Sequence, residues 1–301
     1  MSSREPAQLT LGPLLFHWSA KKRRDFYLRI ADEAPVDTVY LGEVVCSKRE
    51  ASFAPHLDEV AQRLRSAGKT VVLSTLSLVT SRREVTAIRE RAASGWLLEA
   101  NDVACVQILD RAAHVVGPYI NVVNEAARDF LTSRGAIRIA LPVELPATSI
   151  RAIAATAGTT SIEVHTFGRQ PLSVAMRCYH ARSHNLTKDH CQLVCSLDAD
   201  GLTAGTVDGV DILTINGCQT LSHGYGVLLA ELASLRAAGV THFRLSPHDI
   251  DMVRVAQIYR NVLDDRQSAP EALQALRPLV ASAPFINGFV HGREGMSWAE
   301  H

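Results

Sequence analysis

The chain carries no excess of charge of either sign: over 301 residues Lys and Arg total 31, and so do Asp and Glu. It therefore lacks the overall positive field that accompanies nonspecific binding to nucleic acid or anionic membranes, and no nucleic-acid partner is expected. No stretch stays apolar and uncharged for the roughly 18 residues a membrane span needs. The opening MSSREPAQLTLG lacks the basic region and apolar run of a secretory leader, so a cytoplasmic protein without a membrane segment is expected. Cysteine is scarce, at six residues. That is too few for a disulfide scaffold in a chain of this length, so clustered cysteines are metal ligands or reactive thiols. There is no G-x-G-x-x-G fingerprint or phosphate-binding Walker sequence, which argues against a bound dinucleotide or nucleoside triphosphate. Without H-E-x-x-H or G-x-S-x-G, two common routes to peptide hydrolysis also drop out.

What is present is a rhythm. Short β-branched or apolar runs alternate with amphipathic stretches, and the strand candidates are Leu9–Phe16, Thr38–Gly42, Val71–Thr75, Leu97–Glu99, His114–Gly117, Ile137–Leu141, Ile162–Thr166, Ile212–Ile215 and His242–Leu245. Between them Leu57, Val60, Ala61 and Leu64 recur at helical spacing before Gly68, and Ser81 and Glu84 have capping-box spacing. Asn124 is placed to cap a helix that carries Ala127, Phe130 and Leu131, and Thr148 precedes Ile150, Ile153 and Ala154. Leu228, Leu229, Leu232 and Leu235 continue the series up to Gly239. Strand then helix, repeated about eight times without a break in composition, predicts one α/β domain over residues 1–301, a single (β/α)8-type barrel.

One region interrupts the rhythm. From Gly168 to Gly209 the chain is polar and without clear period, the signature of a functional insertion after the seventh strand. It holds the run RCYHARSHNLTKDHCQLVC, with Cys178, Cys191 and Cys195. If Cys191 to Cys195 is one helical turn, both sulfurs face the same way. Cys46, in YLGEVVCSKR directly after the second strand, would be delivered to the same barrel face, where barrel active sites sit. Four thiolates hold either an iron–sulfur cluster or a tetrahedral zinc ion, and spacing alone does not separate them. Lys48, Arg49, Arg177, Arg182 and Lys188 flank the sulfurs and favour thiolate. Cys105 and Cys218 stand singly in apolar runs and read as small buried side chains. Polar residues at other strand ends point at the same mouth. Glu43 and Glu144 are the candidate acids or bases, with His165, Asn216, Ser246 and His248 beside them.

The order and content of YLGEVVCSKR, LSTLSLV, ALPVELP, RCYHAR, HCQLVC, NGCQTLS, RLSPH and NGFVHG resemble a branch of the peptidase U32 family that serves ubiquinone biosynthesis, over nearly the whole chain. The resemblance implies a U32-type barrel with a [4Fe–4S] cluster on Cys46, Cys178, Cys191 and Cys195. It implies a heterodimer with a second U32-type protein, UbiU, and hydroxylation of ubiquinone precursors without O2. The oxygen donor would be prephenate, and an anionic donor of that kind would suit Arg49, Arg177 and Arg244. Because the quinone precursor is apolar and the chain has no membrane segment, other proteins are expected to present it. A zinc-stabilised scaffold or binding protein, and a U32-type peptidase, are the alternatives.

Overall fold

The computed structural model describes residues 6–280 and 283–300; residues 1–5, 281–282 and 301 of the expected 1–301 unit lie outside it. Among the described residues twelve strands run in chain order: β1 (Gln8–Leu11), β2 (Thr38–Gly42), β3 (Thr70–Ser74), β4 (Leu98–Ala100), β5 (His114–Val116), β6 (Ala136–Ala140), β7 (Ser161–Val174), β8 (Leu202–Gly205), β9 (Asp211–Asn216), β10 (Gln219–Val227), β11 (His242–Leu245) and β12 (Phe285–Ile286). Strands β1 to β7 pair in parallel, each with the next. Strand β11 pairs in parallel with both β7 and β1, which closes an eight-stranded barrel. The predicted (β/α)8 architecture is the architecture observed.

Alternation along the strands sorts the core. Val39 and Leu41 on β2 and Val71 and Leu73 on β3 join the large apolar layer beneath the helices. Tyr40, Val72 and Val115 form a separate small cluster, as the two-residue period of a strand requires of the opposite face. The helices form where spacing and caps placed them. Leu57–Ser66 buries Val60, Ala61 and Leu64, and Arg82–Ala93 starts on a complete capping box between Ser81 and Glu84. Glu125–Ser133 is capped by the Asn124 side chain.

Three expectations shift. The first strand stops at Leu11 rather than Phe16, because Gly12 and then Pro13 follow, and proline has no N–H to continue a ladder. Leu228 and Leu229 lie outside the helix, which spans Leu232–Ala237; the Leu228 N–H instead bonds to the Thr166 carbonyl at 3.0 Å, an ordinary hydrogen-bond length. The Ile212–Ile215 run belongs to β9, outside the barrel.

The insertion is larger and more regular than the sequence suggested. Strand β7 does not end at Thr166 but continues to Val174, leaves the barrel, and pairs antiparallel with β10. Strand β10 pairs with β9 and β9 with β8, all antiparallel. The excursion therefore covers 168–227 rather than 168–209, an antiparallel sheet grown from the C-terminal end of a barrel strand. Asp200 anchors it: its carboxylate accepts from the Tyr225 hydroxyl (2.6 Å), His248 Nδ1 (2.6 Å) and Arg169 Nε (3.1 Å). His248 sits just after β11, so this network ties the insertion to the barrel rim, and His248 Nε2 accepts the Arg169 N–H at 3.0 Å. Among the described residues, no helix is long and apolar enough to cross a membrane.

Candidate metal centre

Five cysteines line one small cavity at the barrel mouth: Cys46, Cys178, Cys191, Cys195 and Cys218, together with Arg49, Lys188 and Gly217. Each arrives by a different local route. Gly42 ends β2 at φ +115°, where a Cβ would lie 2.4 Å from the Ser74 carbonyl oxygen, so the chain turns there on a residue only glycine fills without strain. The buried Glu43 then accepts hydrogen bonds from the Val45 and Cys46 backbone N–H groups at 3.0 and 3.1 Å, which fixes the loop that presents Cys46. Glu43 was a candidate acid or base; its contacts are those of a loop organiser, with Arg23 at 3.8 Å from its other oxygen.

Cys178 caps the short helix Tyr179–Ser183, its sulfur accepting the Ala181 N–H at 3.4 Å. A thiolate is favoured at a helix N-terminus by the free N–H groups there. Cys191 and Cys195 do not share the helical turn that their spacing suggested. Gln192 and Leu193 between them adopt left-handed φ values of 48° and 54°, followed by a single 3-10 turn at Val194–Ser196. Both sulfurs nonetheless face the cavity. Two successive non-glycine residues in this region are uncommon and cost energy, so the aim of the sulfurs is set by the folded surroundings and not by local preference.

Cys218 is the residue that sequence reasoning missed. It is buried, as expected, but not inert. Asn216 pairs with Gln219 across the β9–β10 hairpin, so Gly217 and Cys218 form its two-residue tip, with Gly217 at φ +64°. N-G-x-Q between two alternating runs was the available signal. The tip is held against the strand that leads to Cys178 by the Ala175 N–H to Cys218 carbonyl bond of 2.9 Å. Hydrogen bonding from Cys218 brings both Cys46 and Cys178 down to about 6, while its own thiol is pushed up by the same two sulfurs and by burial. Cys195 is raised, since burial outweighs the opposing pull of Arg49. Cys105 lies elsewhere, within the helix Val103–Leu109 and the main apolar core, where burial lifts its thiol to about 11.

Arg49 is the buried cation of the site. It is 1% exposed, donates to the Leu15 carbonyl (2.8 Å) and to Asn216 Oδ1 (3.0 Å), and borders the cavity. Burial opposes its charge, but Glu43 and the sulfurs of Cys195 and Cys46 outweigh that and raise its pKa. Lysines tie the cysteine segments to one another: Lys48 Nζ reaches the Lys188 carbonyl at 2.7 Å, and Lys188 Nζ reaches the Met176 carbonyl at 3.0 Å. Arg177 is exposed and borders an adjoining groove with Met176, Cys178, Arg182 and Lys188.

The other two candidates stand apart. Arg244 lies within the barrel, where it donates to Glu163 (3.0 Å) and Glu99 (2.7 Å) and stacks its guanidinium over the Tyr40 ring. Its donors are thus engaged by two carboxylates. Glu144 is exposed in a separate depression with Tyr119, Asn121 and Ser173. The structure brings together all four cysteines expected as metal ligands with Arg49 and adds Cys218.

A family model for peptidase family U32 matches residues 26–300. The chain belongs to this family. Among solved structures it is similar to a chain of the tryptophan synthase complex of Pyrococcus furiosus, at 10% identity over 91% of this chain and 98% of that one, with a TM-score of 0.40. A second similar structure is the phospho-2-dehydro-3-deoxyheptonate aldolase of Thermotoga maritima, at 9% identity over 94% and 71%, with a TM-score of 0.33. The barrel assignment rests on the strand pairing of the U32 chain itself and needs neither.

Proposed function

We propose that this U32 protein is a UbiV-like iron–sulfur subunit of an O2-independent hydroxylase of ubiquinone biosynthesis, working as a heterodimer with UbiU. The observation that carries the reading is the convergence of Cys46, from the β2 loop, with Cys178, Cys191 and Cys195, from the insertion, on one cavity beside a buried arginine. The donor chemistry fits. Soft sulfur donors suit a [4Fe–4S] cluster, and the neighbouring cation offsets the negative charge of a thiolate-bound centre.

Such a cluster, when bound, supplies electron transfer or activation of an oxygen donor. The chain's own part is to hold four sulfurs, to keep Arg49 charged next to them, and to offer Arg177 and Arg182 on the adjoining groove for an anionic donor such as prephenate. The quinone precursor would be presented by partner proteins.

Iron and sulfide analysis of the anaerobically purified chain tests this. The expected protein is brown, with iron and sulfide in equal amount, and Cys→Ala at 46, 178, 191 or 195 lowers both. Cys105→Ala and Cys218→Ala retain them. A colourless protein with a single zinc would replace the proposal with the scaffold reading, because four thiolates suit that ion equally.

A further inference from the structure

Two histidines and an aspartate form a second group that the thiol cavity does not use. His180 and His184 stand four residues apart, on the helix Tyr179–Ser183 and at its C-cap. That spacing puts them on one face, and their rings stack with centroids 5.6 Å apart. Asp198 comes from the segment just beyond Cys195. Taking one donor atom from each residue, the three lie within 4.8 Å of one another.

His180 gives the group its meaning. Its side chain is 1% exposed, yet neither ring nitrogen has a hydrogen-bond partner. Buried imidazole nitrogens without partners are costly and rare. An Asp198 oxygen lies 2.9 Å from His180 Nε2 but outside hydrogen-bonding direction. Two donors of a common ion at about 2.1 Å, at right angles to each other, are roughly 3 Å apart and do not point at one another. His184 is exposed, so its ring has room to turn toward the same point.

We propose that His180, His184 and Asp198 bind a divalent first-row transition ion, separate from the thiol cavity, that clamps the segment after Cys178 to the segment after Cys195. Two imidazoles and one carboxylate suit Zn2+, Fe2+ or Co2+ and leave coordination positions open. The ion would fix the spacing of two cysteine-bearing segments that the antiparallel sheet does not itself join.

Cobalt titration of the anaerobically purified full chain is the test, because thiolate ligation produces intense charge-transfer bands and nitrogen and oxygen ligation only weak visible ones. The expected result is one equivalent of Co2+ with weak bands alone, bound at least tenfold more weakly in His184→Ala and in Asp198→Asn, with iron and sulfide content unchanged in both. His184 is exposed and Asp198 half-exposed, so these variants should fold, which circular dichroism would verify. Wild-type protein that takes up cobalt only with thiolate bands, or not at all, would overturn the proposal, as would His184→Ala protein that binds like wild type. Loss of the iron–sulfur reading would show in iron and sulfide analysis; the free thiols would then add an equivalent with thiolate bands, and the weak-band equivalent that His184→Ala and Asp198→Asn lose would still be counted apart from it.

Discussion

The barrel interior and the barrel mouth both bury charge, but they treat it in opposite ways. Inside, Glu163 receives Arg244 together with the Thr10 and Tyr40 hydroxyls. Glu99 receives Arg244, Ser74 (2.6 Å) and Asn101 (3.1 Å). Arg138 closes the circuit on the Tyr40 hydroxyl at 3.1 Å. Burial alone would raise Glu163, but Arg244 and Arg138 outweigh it and hold the carboxyl down at about 2. At the mouth, five sulfurs with few protein partners face a shared cavity. A network whose members satisfy each other gives stability and a fixed shape; a cluster of donors that face a common point is arranged for something else to bind.

The contrast breaks most visibly at Arg244. Arg244→Ala leaves Glu99 and Glu163 buried without their cation, and removal of one partner of a buried ion pair costs about 3–5 kcal/mol. Urea unfolding should register that loss while iron per folded chain stays at the wild-type level. A change in iron content with little change in stability would mean that the interior network and the mouth are one functional unit.

Gly217 probes the mouth by backbone rather than by ligand. A Cβ there would lie 2.5 Å from Arg49 Nη2, and the residue sits at φ +64°. Gly217→Ala should cost about 2 kcal/mol through left-handed strain and displacement of the guanidinium. Denaturant midpoints measure the cost, and the comparison sharpens if iron is lost too, since the displaced Arg49 borders the thiol cavity.

How far this was legible from sequence follows the same division. The barrel could be read because its signals are local and repeated, such as the Ser81 and Glu84 box or the spacing of Val60, Ala61 and Leu64. Cys46 was placed correctly on the rim because it directly follows a recognisable strand. Cys218 was not found, since its position depends on a hairpin that folds back along β7, and pairing between distant strands leaves little trace in either one alone. The engagement of Arg244 was hidden for a similar reason: Glu99 and Glu163 are far from it in sequence, and only barrel closure makes them neighbours.

Acid should act on the interior before it reaches the carboxylates. Burial lowers His242, at the start of β11, from 6.5 to about 4. The neutral ring is favoured in the folded state, so its contribution is complete above pH 6.5 and is lost as pH falls toward 4. Between pH 7 and pH 5.5 this one residue should remove about 1 kcal/mol. The depressed Glu163 contributes above about 4.5 and loses its effect only as pH falls toward 2. Unfolding free energies at pH 7 and 5.5, in wild type and His242→Gln, check the size and the sign.

The smallest effect is also the most direct comparison, because the same substitution is made in each setting. Cys105 is fully buried in the apolar core and Cys191 only partly buried at the mouth. Cys105→Ala deletes one buried atom of roughly methylene size, worth ~0.8 kcal/mol of stability, and should leave iron and sulfide untouched. Cys191→Ala removes less buried surface and should shift metal-free stability even less, yet it should lower iron. If the two variants lost iron equally, or if Cys191→Ala retained it all, the division between a sulfur that packs and a sulfur that binds would not hold.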